Sequence, residues 1–316
     1  MIFWWNLEED ISKRKNLEGG AICIGNFDGL HPGHIEVIRS ALSSSRRVFI
    51  MTFLPHPHLV LKPEGFFFLT SLYKKYLILK NLGVSDLIVV PFLLVKDMDA
   101  FNFLLLIKKL NPLAIYVGEN FTFGKGAEGD INTLISIGNR LGIKVFCSTL
   151  IKINNEKNIS SSLLRKLIRS GSVEKYFEVC GRYYSVMGSV VRGVGRGKTL
   201  GFPTANLNTT YELPYKGVYI CTVKLENEIF GGVCNVGGRP TFEENINLLE
   251  VYVLNFNGLP LYGKRIEVTF IKRLRDIIKF PSMDELSETI RSDVQAARNY
   301  FKEFSLSSFS KFHMPL

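Results

Sequence analysis

Two histidines three residues apart, in the run Gly25-Asn26-Phe27-Asp28-Gly29-Leu30-His31-Pro32-Gly33-His34, are the first residues here whose types and spacing suit chemistry. The run follows a short apolar stretch, Ala21 to Ile24, and leads into a helical pattern from about Gly33 to Ser43. Glycines let a backbone turn sharply and approach a ligand closely. A helix N-terminus offers N–H groups and positive dipole to a phosphate. Gly25, Phe27, Asp28, Gly29 and Gly33 are therefore candidate nucleotide-phosphate residues. His31 and His34 would face the same phosphates, as suits charge stabilisation when a nucleophile attacks an α-phosphate and pyrophosphate leaves. The plainer alternative is a glycine turn with two cap histidines.

Further strings have the same double reading. Ser160, Ser161 and Ser162 open a helix, and Arg165 lies one turn in. They cap it, or they hold phosphates. No G-x-x-x-x-G-K-[ST] loop is present, so any nucleotide chemistry is of another class. Tyr116 to Lys125 supplies Asn120, Phe121 and Phe123, which line a pocket for a flat heterocycle or form a packed turn. Pro55 and His56, with Pro57 and His58, follow another strand end and either line a site or shape the loop.

The second half offers Arg192-Gly193-Val194-Gly195-Arg196-Gly197-Lys198, then Gly201-Phe202-Pro203-Thr204-Ala205-Asn206. Alternating cations and glycines, Gly195, Gly197 and Lys198 among them, can wrap a polyphosphate with backbone N–H groups. Thr204 and Asn206 can project oxygens to one side, and oxygen is what Mg²⁺ takes. The alternative is a solvated basic hairpin and a turn. Glu250 lies among apolar neighbours in Leu248 to Val253. Facing inward it could accept a hydroxyl proton. Facing outward it is the polar half of an alternating strand.

The elements that position these residues fall into two textures. Up to about residue 150, strands at 21–24, 47–53, 87–90, 114–117 and 144–148 alternate with helices at 33–43, 72–82, 100–110 and 131–141. That alternation implies right-handed crossovers and a parallel sheet with ligands beyond the strand C-termini. After about residue 180 the β-rich runs 184–191, 217–225, 229–236, 248–255 and 265–271 have turns between them and no helix, which implies a closed or nearly closed antiparallel barrel. A helical pattern over 283–304 opens on Ser282 and Glu285, a capping box. The chain thus divides into domains 1–180 and 181–316.

Composition narrows the class. With 316 residues, 46% hydrophobic and 22% charged, the chain suits two globular domains and excludes a disordered, collagen-like or disulfide-framework protein. No apolar run approaches the ~20 residues of a membrane span, and Glu8, Glu9 and Asp10 come too early for a signal peptide. Five scattered cysteines imply reduced thiols in a cytoplasmic protein and no zinc site. The net charge of +10 divides into +6 over 1–180 (22 basic, 16 acidic) and +4 over 181–316 (17 basic, 13 acidic). Mild positive charge in both halves suits nucleotides. A nucleic-acid module is the rival, but its usual basic-aromatic stripe is missing.

Together these strings resemble the bacterial bifunctional riboflavin kinase/FAD synthetase family, from about Ala21 to Arg298. Gly25–His34 and Ile159–Arg165 resemble its nucleotidyltransferase motifs, Gly118–Gly124 a pocket segment, and Gly201–Asn206 its Pro-Thr-Ala-Asn motif. Asn235-Val236-Gly237-Gly238-Arg239-Pro240-Thr241-Phe242 and Leu261-Tyr262-Gly263 are similar too. The resemblance implies an α/β nucleotidyltransferase domain with a Rossmann-like parallel sheet, then a six-stranded antiparallel barrel with a C-terminal helix. It implies phosphorylation of riboflavin to FMN and adenylylation of FMN to FAD, both from ATP with Mg²⁺. The alternative is a chain with kinase activity alone and a passive nucleotide-binding N-terminal domain. By resemblance Glu250 is the kinase base, with Thr204 and Asn206 binding Mg²⁺–nucleotide. His31, His34 and Arg165 serve adenylyl transfer, and Asn120, Phe121, Phe123, Pro55 and His56 contact flavin. The expected partners are riboflavin, FMN, FAD and ATP, without nucleic acid or membrane, for a monomer or weak homo-oligomer. Leu54 stands where relatives often carry an acidic residue, and Ile277 and Ile278 where they carry polar or acidic ones.

Overall fold

The computed structural model describes residues 1–5, 19–149, 152–153, 157–193, 201–237, 249–256, 258, 261–306 and 308–309. Gly195, Gly197 and Lys198 of the expected phosphate cover lie outside the described residues, as does the 238–248 segment. Two compact units divide at Ser161/Ser162.

The first unit is a six-stranded sheet in which every neighbouring pair is parallel. Its strands are β1 (Ile2–Trp4), β2 (Ala21–Ile24), β3 (Val48–Leu54), β4 (Asp86–Pro91), β5 (Ala114–Gly118) and β6 (Lys144–Ser148), in spatial order β1-β4-β3-β2-β5-β6. The crossovers carry α1 (Pro32–Ser44), α2 (Pro57–Leu61), α3 (Leu72–Asn81), α4 (Phe92–Val95), α5 (Ala100–Lys108) and α6 (Ile131–Leu141). Ser71, Asp99 and Asp130 cap α3, α5 and α6 by accepting from backbone N–H groups three residues on. Gly142, left-handed at φ 68°, ends α6. Alternate strand residues Ile22, Ile24, Phe49, Met51, Ile88, Val90, Ile115 and Val117 share one core with Phe103 and Ile107 of α5 and Leu134 and Ile137 of α6. Trp4 and Trp5 have a definite place: β1 extends the sheet beside β4, and Trp5 is buried, its N–H donating to Val89 O. A short hairpin, β7 (Lys152–Ile153) with β8 (Lys157–Asn158), follows β6.

The second unit opens with α7 (Ser161–Arg169), whose first residue still belongs to the sheet unit, and α8 (Val173–Cys180). Six strands then close a barrel: β9 (Ser185–Val191), β10 (Thr204–Asn208), β11 (Gly217–Leu225), β12 (Glu228–Val236), β13 (Leu249–Val253) and β14 (Arg265–Arg275), in the order β10-β13-β12-β11-β14-β9. All contacts are antiparallel, and β9 returns to β10. The compact division puts α7 and α8 with the barrel, ahead of the boundary expected at 180/181. Glu174 on α8 shows why: its Oε1 accepts from the Arg273 N–H of β14 at 3.0 Å.

The C-terminal helix α9 (Met283–Glu303) is capped by Ser282, which accepts from Glu285 N–H. It lays Val294 and Ala297 on Val218, Ile220, Val233, Leu254 and Ile271. A two-point pair fixes its position: Arg275 Nε meets Asp293 Oδ1 at 3.0 Å and Arg275 Nη2 meets Oδ2 at 2.7 Å. All five cysteines are free, and all but Cys147 are buried.

Candidate active sites

In the sheet unit the chain runs from β2 to β3 and β4 on one side, and returns to β5 and β6 on the other. The point between β2 and β5 is where an open parallel sheet leaves a crevice at its strand C-termini. The two loops leaving that point are Gly25–His31 and the one after Gly118, both singled out from sequence.

The Gly25–His31 loop is held in costly backbone conformations. Phe27 and Leu30 have φ of 49° and 43°, unusual for residues with side chains, beside Gly29 at 80°. Burial compensates, since the Phe27 side chain is 2% exposed and Leu30 wholly enclosed. Asp28 is buried with its carboxylate accepting from the backbone N–H of Leu69 and Thr70, each at 3.1 Å. Asp28 therefore anchors the loop, and the phosphate contact expected of it does not fall to its carboxylate, which a phosphate would repel. Ser161 Oγ donates to Asp28 O at 2.7 Å, tying the start of α7 to the same loop. His31 occupies the N-cap position of α1 without a side-chain cap hydrogen bond, and its ring stacks on His34 at 3.7 Å between centroids, with Phe27 tilted against His34 at 5.2 Å. A Cβ on Gly33 would stand 3.2 Å from the His31 ring, so glycine leaves that ring its place. Ser160 precedes α7 and remains in the sheet unit, whereas Ser162 and Arg165, on the helix, belong to the barrel unit.

Under the loop sits a lysine that sequence reading passed over. Lys75 on α3 is buried, and its Nζ donates to Asn26 O at 2.6 Å and to Thr52 Oγ1 at 3.2 Å. Desolvation pushes its pKa down to about 8, opposed by the negative charge of Asp28. The unfolded chain then binds the proton more tightly, so the cost of burying it is complete below about pH 8 and fades as pH rises toward 10.5. Wild type should therefore gain about 2 kcal/mol over Lys75→Met between about pH 7 and about pH 9.5. Urea unfolding followed by tryptophan fluorescence checks this, because both tryptophans, Trp4 and Trp5, lie in the sheet unit. A gap between the two proteins that is constant with pH would contradict it.

The expected flavin residues separate. Asn120 is exposed and Phe121 half-buried at the end of β5. Phe123 is a correction: it is buried in the domain core against Phe103 at 5.8 Å and Phe121 at 5.7 Å, so its ring packs the sheet rather than facing a ligand. Pro55 follows β3 through a cis peptide bond with Leu54. His56 caps α2 by accepting from His58 N–H, and its ring meets Phe66 at 4.5 Å and Phe68 at 6.1 Å. Phe66 and Phe68 thus join this aromatic wall. The Phe66-Phe67-Phe68 run was its only sequence signal.

In the barrel unit, strand register sets the site. Asn206 on β10 pairs with Glu250 on β13, and Glu250 pairs with Asn235 on β12. Residues directly opposite share a face with Cβ atoms about 5 Å apart, so the three form one transverse row, amide–carboxylate–amide. The next row holds Thr204, Tyr252 and Val233. Val233 and Tyr252 pack in the cluster under α9, which places both rows on the face toward that helix. Glu250 therefore points away from the barrel interior, and it is half-buried. Of the two orientations open from sequence, the structure takes the outward one, with the row on the helix side.

Thr204 and Asn206, two apart on β10, share that face as expected. Asn206 is 7% exposed, and a Cβ on Gly193 would lie 2.0 Å from its Nδ2. Gly193 is thus a clamp on the amide that the sequence did not reveal. Gly193→Ala should displace Asn206 and cut kcat/KM for a barrel-catalysed reaction by roughly tenfold, as for one lost polar contact of about 1–2 kcal/mol. Steady-state kinetics of each half-reaction would show it, and an unchanged barrel reaction would refute the clamp. Ile277 is 44% exposed, yet its Cδ1 would lie 3.0 Å from a Cβ on Gly237, so the 276–282 loop reaches the end of β12.

A Rossmann-like unit with a glycine- and histidine-bearing loop at its crevice, followed by a barrel with a carboxylate between amides, is an arrangement suited to a nucleotide-dependent transferase with two reaction centres. Family models agree with this division: FAD synthetase matches residues 13–163 and riboflavin kinase residues 180–301. The bifunctional riboflavin kinase/FMN adenylyltransferase of Bacillus subtilis is 36% identical over 296 residues, covering 89% of this chain and 92% of the relative. That of Escherichia coli K12 is 34% identical over 294 residues, covering 90% and 93%. A solved Streptococcus pneumoniae structure described as a macrolide-efflux protein superposes with TM-score 0.85 at 28% identity, over 94% of this chain and 99% of that one. Among the described residues no helix is long and apolar enough to cross a membrane. The chain belongs to the bifunctional riboflavin kinase/FMN adenylyltransferase family.

Proposed function

We propose that the barrel unit phosphorylates riboflavin with Glu250 as general base, and that the sheet unit adenylylates the resulting FMN at the Gly25–His34 loop. The chain is an enzyme of flavin cofactor synthesis, with both activities of its family. The row Asn206–Glu250–Asn235 carries the assignment, because it sets a carboxylate beside the oxygen donors of β10.

In the kinase reaction the riboflavin 5′-hydroxyl attacks the γ-phosphate of ATP, Glu250 takes the proton, and ADP leaves. The transition state is loose, so positioning and charge neutralisation dominate. Thr204 Oγ1 and Asn206 Oδ1 suit Mg²⁺ carried by the nucleotide: both are hard neutral oxygens on one face, and Gly193 clamps the amide. Bound there, the ion would draw charge from the phosphates. In the adenylyl reaction the FMN phosphate attacks the ATP α-phosphate and pyrophosphate leaves. The attacking oxygen is already anionic, so no protein base is needed. His31 and His34, with Gly33 at the helix start, stabilise charge on the phosphates, and Ser160 and Ser161 of the same unit add further donors. Asn120, Phe121, Pro55 and His56 flank the flavin.

We place the enzyme in the reducing cytoplasm, as its five free thiols suit, and read it as a monomer or weak homo-oligomer acting on small molecules. Incubation with riboflavin, ATP and Mg²⁺, with chromatographic separation of the flavins, tests the reading. FMN followed by FAD is the expected result. FMN that never becomes FAD would refute the adenylyl assignment, and no product from riboflavin or from supplied FMN would refute both.

A further inference from the structure

Asn235 is the member of the row that the mechanism leaves idle. Its register partners are Glu250 on β13 and Val218 on β11. The Asn235 Oδ1 atom is buried and has no hydrogen-bond partner among the described residues. Such a group costs about 1–3 kcal/mol when left unsatisfied, and a native chain keeps one where something fills it. Among the described residues, its two register partners have nothing to donate. Glu250, opposite, accepts as a carboxylate. Val218, on the other side, is apolar. Over the end of β12, Ile277 Cδ1 and the Asn235 amide converge on Gly237, at 3.0 Å and 3.5 Å from where its Cβ would be. A bound molecule could supply the missing donor, and it would lie beside the group on which Glu250 acts.

We infer that Asn235 accepts a hydrogen bond from a secondary hydroxyl of the riboflavin ribityl chain, the 4′ or the 3′, while Glu250 holds the 5′-hydroxyl. The spacing supports this. Cβ atoms of opposed residues stand about 5 Å apart, which two polar side chains close to the separation of hydroxyls one or two carbons apart on a polyol. Chemistry supports it too, since each ribityl hydroxyl is a donor able to satisfy an amide oxygen. Asn235 then fixes which hydroxyl of the chain reaches the γ-phosphate, and excludes shorter alcohols that leave the amide unpaired. A site that hydrogen-bonds a substrate hydroxyl rejects analogues lacking it far more strongly than an apolar pocket does. The inference rests on the kinase reading of the Glu250 row.

The test is kinase kinetics with riboflavin, 4′-deoxyriboflavin and 3′-deoxyriboflavin, on wild type, Asn235→Ala and Glu250→Gln. Wild type should lose roughly 10–100-fold in kcat/KM on one of the two analogues. Asn235→Ala should lose a similar factor on riboflavin, with the KM for ATP unchanged. On that one analogue the variant and wild type should then agree within about threefold, because the contact is already absent. Wild type that uses both analogues within threefold of riboflavin overturns the proposal, and this arm needs no variant to fold. So does an Asn235→Ala loss that is equal on all three substrates. Glu250→Gln with full activity on riboflavin would instead overturn the base assignment, whatever the analogues show.

Discussion

Glu250→Gln is expected to lower FMN formation by ~10²–10⁴, the usual contribution of a general base, while FAD formation from supplied FMN stays at the wild-type rate. The substitution keeps the volume and shape of a residue that sits mid-strand, so β13 retains its register with β10 and β12. What it removes is the capacity to take a proton from the attacking hydroxyl. Both direct neighbours of Glu250 in the row are amides, which are not basic enough to replace it. The adenylyl reaction serves as an internal control, because Glu250 belongs to the second compact unit and the Gly25–His34 loop to the first. Product chromatography with riboflavin and with FMN as alternative substrates measures both. Kinase activity within threefold of wild type would remove Glu250 from the mechanism.

His31→Ala is expected to do the reverse, with adenylyl transfer falling roughly 10²–10³-fold, as when an oxyanion donor is deleted, and kinase activity intact. The effect has two sources in the structure. His31 is itself the cap residue at the N-terminus of α1, and its ring supports His34 by stacking at 3.7 Å. Alanine removes one imidazole and takes away the ring stacked on the other. The loop should nevertheless hold, because Phe27, Leu30 and Asp28 are fixed by burial and by the Leu69 and Thr70 N–H groups independently of His31. Unchanged FAD output from FMN and ATP would show that the phosphates are held elsewhere.

Much of this was legible in the sequence because local signals agreed with the fold. α6 spans Ile131–Leu141 as expected, since Asp130 starts it and Gly142 stops it within the chain itself. The helix 72–82 was also visible, but the fate of Lys75 on it was not. A lysine on a surface-like helix reads as solvated, and only the packing of α3 under the Asn26 carbonyl buries it. α8 escaped notice although Val173, Tyr176 and Cys180 repeat at helical spacing and are buried. β10 was not among the expected strands, yet Thr204 to Asn208 alternates polar and apolar as a strand should. The active row was the least legible part. Its members come from three strands, and pairing register is a tertiary fact that no single segment encodes. Glu250 stood out as a carboxylate among apolar neighbours, whereas Asn235, on a neighbouring strand, was noticed only as part of a similar string. The face of β13 stayed open between inside and outside, because its Leu-Glu-Val-Tyr-Val pattern shows alternation without saying which side is enclosed.

The kinase row is addressed by counting residues along strands, and this has a consequence for how such a chain can evolve. Successive residues of a strand point to opposite faces. Inserting or deleting a single residue ahead of Glu250 within β13 would turn its carboxylate into the barrel interior and bring Leu249 or Val251 into the row. No compensating point substitution elsewhere restores the phase. Length changes can therefore accumulate in the connections between strands, while β10, β12 and β13 tolerate exchange of letters but not change of reading parity. In a library of insertions, lineages that keep growth on riboflavin should show the barrel strands as gaps in an otherwise permissive map.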